Sequence, residues 1–112
     1  ESRCLMVCKY IPVKTAKEIR RVYLDEILYI EKRRRQAILI TESGKTVFYC
    51  NMDFLKKYVD ERFLDCHRSY LFNMDKILRM ADQTVYMEGG FRVFLGRECF
   101  RRGRKIFGEY IK

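Results

Sequence analysis

The sequence predicts a mainly β domain of antiparallel sheets with one or two short helices. Three observations point there. Short runs rich in Val, Ile, Phe, Tyr and Thr recur along the chain. Two pairs of them flank hairpin-type turn sequences, and only one stretch repeats its apolar residues with clear helical spacing.

In chain order, Leu5 to Val13 is a candidate opening strand and Arg21 to Leu24 a short second one. Ile27-Leu28-Tyr29-Ile30 is a compact β-favouring run. Ala37-Ile38-Leu39-Ile40-Thr41 and Thr46-Val47-Phe48-Tyr49-Cys50 enclose Glu42-Ser43-Gly44-Lys45, a hairpin turn. Asn51 then caps a predicted helix. Its Met52, Leu55, Tyr58 and Val59 recur at three- and four-residue steps, and it should end near Glu61-Arg62. A second, very short helical turn is expected over Met74-Asp75-Lys76, capped by Asn73. Thr84-Val85-Tyr86-Met87 and Phe91-Arg92-Val93-Phe94-Leu95 flank Gly89-Gly90, the second hairpin signal. Arg97 to Lys112 is expected to be helical only in part, because Gly103 and Gly108 weaken it. No linker, repeat or boundary interrupts the 112 residues, so a single domain over 1–112 is expected.

Hydrophobic residues make up 48% of the chain and aromatics 14%, enough for a core, which excludes a disordered basic tail. One Pro and six Gly exclude fibrous and low-complexity classes. There is no run of about 18 apolar residues, so no membrane-spanning helix is expected. Glu1-Ser2-Arg3-Cys4 lacks the layout of a signal peptide. The five cysteines are odd in number and widely spaced, so reduced thiols in a cytoplasmic setting are expected rather than a disulfide framework. Cys4 and Cys8 are the one close pair, but no second ligand pair completes a zinc site, and no metal or cofactor is implied.

Charge is more informative. The formal net charge is +9, and it is clustered. Lys32-Arg33-Arg34-Arg35 and the segment Arg97 to Lys105 carry +4 each, whereas residues 51–65, around the predicted helix, carry −1. Arginine dominates both basic clusters, and its planar fork suits phosphates and guanine edges. The plain alternative is a solvated basic face. The clustering favours a nucleic acid. Both clusters fall outside the clear helix, so recognition should come from loops rather than from a basic helix in a groove.

Catalysis is not expected. Cys66 and His67 are adjacent, and neighbours on a strand point to opposite faces. His67 is the only histidine, and neither a Gly-rich phosphate loop nor a paired-carboxylate pattern occurs.

The block Phe63-Leu64-Asp65-Cys66-His67-Arg68-Ser69-Tyr70-Leu71-Phe72-Asn73-Met74-Asp75-Lys76-Ile77 is distinctive. It resembles the LytTR family, the β-rich DNA-binding domain of many bacterial response regulators, whose pattern F-x-x-x-H-R-S-[FY]-L-[VI]-N-x-x-x-I it follows at nearly every position. Val22 to Glu31 looks like the family's opening hydrophobic segment, and Gly90 to Arg97 like its closing strand and following Arg. The likeness covers roughly residues 11 to 107.

The resemblance implies an elongated stack of three antiparallel sheets whose loops enter successive major grooves of double-stranded promoter DNA. The chain would be the output domain of a bacterial two-component transcription regulator. Base-directed contacts carry over to Arg35, Arg68 and Arg97, with Lys32, Arg33, Arg34, Ser69 and Arg101 completing the expected DNA-binding set. From the residues themselves, Arg102, Arg104 and Lys105 are expected on phosphates or simply exposed to solvent, and His67 is expected to be structural. Two copies on repeated half-sites follow by analogy. Family members usually carry a receiver domain; this chain holds none, and one is expected in the full-length protein. Phe94 stands where many members have Pro, and Gly96 where many have Ser, which removes one hydroxyl available to phosphate. Two rival functions stay open: a β-rich protein-interaction module docking an acidic partner, and a single-stranded RNA binder stacking bases on Phe and Tyr. Against the latter, runs such as Val47-Phe48-Tyr49 are expected to pack into the core.

Overall fold

A computed structural model of the chain describes residues 9–112. Cys4, Cys8 and the first part of the expected opening strand lie outside the described residues. Among the described residues, ten strands form three antiparallel sheets. Strands β1 (Tyr10–Lys14) and β2 (Ile19–Tyr23) pair in the smallest sheet. Five more, β3 (Ile27–Arg33), β4 (Gln36–Thr41), β5 (Gly44–Tyr49), β6 (Phe63–His67) and β7 (Tyr70–Asn73), form the largest sheet, in the order β5-β4-β3-β7-β6. The third sheet holds β8 (Ile77–Ala81), β9 (Thr84–Met87) and β10 (Arg92–Phe94). Helix α1 (Met52–Tyr58) links β5 to β6, and helix α2 (Arg97–Tyr110) follows β10.

The five-stranded sheet is the middle layer. On one face Ile30, Leu39, Phe48 and Leu71 pack with Ile11, Val13 and Val22 of the small sheet and Leu55 of α1. On the other, Leu28, Ile40, Leu64 and Phe72 pack with Val85, Met87 and Val93 of the third sheet, and Phe100 and Phe107 of α2 close against them. Two apolar faces on one sheet account for the two cores and the stacked architecture.

The local chemistry explains most boundaries. The Asn51 side chain accepts the Phe54 N–H at 2.8 Å and starts α1. The helix stops at Tyr58, short of the expected Glu61-Arg62. Val59 is extended, and the Asp60 carboxylate accepts the Arg62 N–H at 3.1 Å, offering the backbone a turn in place of another helical bond. Asn73 caps its short 3-10 turn as expected, accepting the Asp75 N–H at 3.0 Å. It also does more. Fully buried, its amide donates to the carbonyls of Leu24 and Ile27 at 3.2 and 2.8 Å, fastening β7 to the β2–β3 connection. Gly89 and Gly90 take φ of 78° and 83°, the left-handed region, and turn the chain between β9 and β10.

Strands β6, β7 and β8 have no clear signal in the sequence. Leu71, Phe72, Asn73 and Met74 are all buried, so β7 lacks the alternation of a half-exposed strand. A register shift between Ile77 and Arg79 breaks the period of β8. The β8–β9 turn, Asp82-Gln83, takes positive φ at both residues without the usual Asn-Gly pair.

The C-terminal segment is a full helix of 14 residues, against the expectation of partial helix. Gly108 is exposed and costs only propensity, but Gly103 is buried at the contact with β6. Its missing Cβ lets α2 lie directly on the sheet, and that packing outweighs the weak local preference.

Candidate nucleic-acid interface

Lys32 to Arg35 form the tip of the β3–β4 hairpin. Arg33 pairs with Gln36, so Arg34 and Arg35 are a two-residue turn, with Arg34 at a φ of 50°. The four cations are not equivalent. The Lys32 ammonium folds back to donate to the Arg34 carbonyl. Arg33 donates from Nε to Glu31 at 2.7 Å, and that hydrogen bond raises its guanidinium pKa further and offsets its charge. Arg34 and Arg35 are exposed and, among the described residues, carry no ion pair. Two unopposed guanidiniums therefore crown this turn.

The β6–β7 turn is Arg68-Ser69, closed by the pair His67 and Tyr70. His67 Nδ1 accepts the Ser69 N–H at 2.9 Å, and its ring lies 5.2 Å from that of Tyr70. This bond closes the turn from within. Arg68 is exposed and bonds neither acid near it in sequence: Asp65 pairs with Lys56 at 3.3 Å, and Asp75 accepts the Tyr110 hydroxyl at 2.7 Å. The two turns are joined, since the Lys32 N–H donates to the Ser69 carbonyl at 2.8 Å. That bond continues the β3–β7 pairing of Glu31 with Tyr70. An open groove at the tip of the β3–β4 hairpin is lined by Lys32 to Gln36, by Ser69 on one side and by Tyr49 on the other.

Arg97 is the first residue of α2 rather than part of a loop. It is exposed and without an ion pair among the described residues. The helix runs antiparallel to β6. Tyr110 reaches Asp75, next to the Phe63–Asn73 pair, whereas Gly103 sits over Leu64 and Cys66. Six residues earlier, about 9 Å along the axis at 1.5 Å per residue, Arg97 lies toward the His67–Tyr70 turn. Arg35, Arg68 and Arg97 thus come from three elements to one end of the molecule. Arg101 is held by Glu98 one turn away, and Arg102 donates to the Cys66 carbonyl at 2.8 Å. Arg102 is therefore part of the helix–sheet contact as well as a cation.

Cys66 is 2% exposed, and burial pushes its thiol up to about 11, which removes it as a thiolate nucleophile at neutral pH.

One residue lining the groove departs from the sequence expectation. Phe48 is buried as expected, but Tyr49 is 77% exposed and Val47 40%. Strand β5 is the sheet edge, so only the Phe48 side of it is covered. Strict alternation across Val47-Phe48-Tyr49 was the available signal.

The fold agrees with two comparisons to known proteins. A family model described as the LytTr DNA-binding domain matches residues 17–108. A solved LytTr DNA-binding domain, from a putative methyl-accepting/DNA response regulator of Bacillus cereus, superposes with a TM-score of 0.72. It covers 89% of this chain and 97% of its own at 21% identity, a likeness of fold. No curated protein sequence matches the chain.

Proposed function

The chain belongs to the LytTR family of DNA-binding domains, and we propose that it recognises specific sites in double-stranded promoter DNA as the output domain of a bacterial response regulator. The observation that carries this is the convergence of exposed, unpaired arginines from two coupled turns and one helix start. Arg35, Arg68 and Arg97 read base edges in the major groove; Arg34, Ser69, Arg101 and the remaining cations hold phosphates and fix register. Lys32 and Arg33 contribute less than their charge implies, because the Arg34 carbonyl and Glu31 already engage them. The domain acts by binding and performs no reaction. In the cell it works in the cytoplasm, joined to a receiver domain, with two copies on repeated half-sites.

Selection from random duplex DNA with this domain tests the reading. An enriched motif, lost in Arg35→Ala or Arg68→Ala, is expected. Failure to enrich any motif, with equal retention of all duplexes, overturns sequence-specific recognition. Binding confined to single strands transfers the function to the single-strand class.

A further inference from the structure

The chain has eight tyrosines, and seven have a visible reason for their place. Tyr10 and Tyr23 pack edge to face, Tyr29 and Tyr70 meet in the cluster with Phe72, and Tyr58 packs on Phe54. Tyr86 lies under the Arg79 guanidinium, and Tyr110 donates to Asp75. Tyr49 is the exception. It is the most exposed of the large hydrophobic and aromatic residues at 77%. Among the described residues its hydroxyl has no hydrogen-bond partner and its ring meets no other ring or cation. An aromatic ring left in water forgoes the burial that normally accompanies its use.

Its position is specific. Tyr49 stands opposite Gln36, the first residue after the Arg34-Arg35 turn, and the next residue's N–H, that of Cys50, donates to the Arg35 carbonyl at 2.8 Å. It lines the same groove as that turn and Ser69. The groove therefore presents a phenol on the β5 side of the hairpin tip, the unpaired guanidiniums of the turn beside it, and a serine at its far margin.

We propose that Tyr49 forms, with the adjoining Arg34-Arg35 turn, a subsite for one sugar–phosphate unit of the DNA backbone, with Ser69 at the far margin of the same groove. The phenol hydroxyl donates to a phosphate oxygen and the ring lies against the deoxyribose, while an arginine of the turn neutralises the phosphate. Tyrosine and serine hydroxyls are regular partners of phosphate, and such contacts position a protein without reading sequence. This inference rests on the DNA-binding reading above.

Tyr49→Phe and Tyr49→Ala test it by affinity for one selected duplex and one unrelated duplex at a fixed salt concentration. Loss of the hydroxyl should weaken both duplexes about tenfold or somewhat more, the low end of the range of a hydrogen bond to a charged group. Tyr49→Ala should lose more, with the specific-to-nonspecific ratio and the thermal midpoint unchanged. The chain contains no Trp, so Tyr49→Trp introduces one reporter. Its emission should change on saturation with duplex. Leu78→Trp, at an exposed position on β8 near the opposite end, should give no response. If wild-type protein binds duplex and Tyr49→Ala binds equally well, the subsite is wrong and DNA binding stands. If wild-type protein binds no duplex, the DNA-binding reading falls and takes the subsite with it. A loss in Tyr49→Ala seen only on single strands also overturns the subsite, since it marks base stacking instead.

Discussion

A Cβ placed on Gly103 would lie 2.9 Å from the Cys66 sulfur, so helix α2 rests on strand β6 with no side chain between them. The same Cβ would meet Leu64 at 3.2 Å and Met80 at 3.3 Å, contacts from two different sheets. Arg102, the residue before, donates to the Cys66 carbonyl. This small contact sets how closely α2 lies on β6.

Gly103→Ala should destabilise the domain, although alanine is the better helix former. The propensity gain is about 1 kcal/mol. The added methyl meets a buried sulfur and two buried or half-buried side chains from above, and overpacking of that kind costs about 1–3 kcal/mol. The net effect should be a lower denaturant midpoint with an unchanged m-value. A rise in the midpoint would show that the sheet yields to the helix.

Stability should also fall in alkali. The Cys66 thiol is raised from 9.0 to about 11 by burial, with smaller effects from nearby Cys99 and Asp65. In the unfolded chain the thiol ionises near its ordinary value, while in the folded chain it stays protonated. The unfolded state therefore binds fewer protons between about pH 9 and 11, and stability drops as pH rises through that window. Tyr110, raised from 10.0 to about 12 by burial and its bond to Asp75, adds a loss of the same sign above pH 10. Urea titrations from pH 8 to 11 should show the decline, with Cys66→Ala flattening its slope relative to its own value at pH 8. An equal slope in that variant would locate the pH dependence elsewhere.

The sheets and the site were legible to different degrees. The hairpins around Gly44 and Gly89-Gly90 could be read because local turn chemistry decides them. The strands Phe63–His67 and Tyr70–Asn73 could not, since burial on both faces and a register shift between Leu64 and His67 erase the alternation. Helix α2 was undervalued because the benefit of Gly103 exists only once β6 lies beneath it. Charge clustering located Arg34 and Arg35, but it gave Lys32 and Arg33 equal weight. Only the fold shows that Glu31 and a carbonyl engage those two. The coupling of Lys32 to Ser69 is a contact between positions distant in sequence, which neither composition nor the resemblance names and only the fold brings together.

Affinity for DNA should fall steeply with salt. Arg34, Arg104 and Lys105, cations on the proposed phosphate-holding side of the interface, are exposed and without an ion pair among the described residues. With about 5–7 phosphates neutralised, log K should fall against log salt with a slope near −5 to −6. Fluorescence anisotropy over a range of potassium chloride concentrations measures it. A slope near zero would sink the electrostatic account of binding.

Arg97 gives the sharpest test of base reading. It opens α2 at Gly96, exposed and unpaired, so its guanidinium is free to present two donors to O6 and N7 of one guanine. Losing such a contact should cost about 1–3 kcal/mol on the selected site. Unrelated DNA offers no aligned guanine, so Arg97→Ala should lose far less there. The comparison needs a cation that touches phosphate alone. Arg102 does not qualify, because its bond to the Cys66 carbonyl means that Arg102→Ala would loosen the helix on β6 and confuse position with contact. Arg104 is exposed on the same helix without that bond, and Arg104→Ala should weaken both DNAs about equally. The quantity compared is the ratio of specific to nonspecific affinity at one salt concentration, with thermal midpoints confirming that each variant is folded. If Arg97→Ala leaves that ratio at the wild-type value, Arg97 anchors phosphate, and base reading passes to the two turns at Arg35 and Arg68.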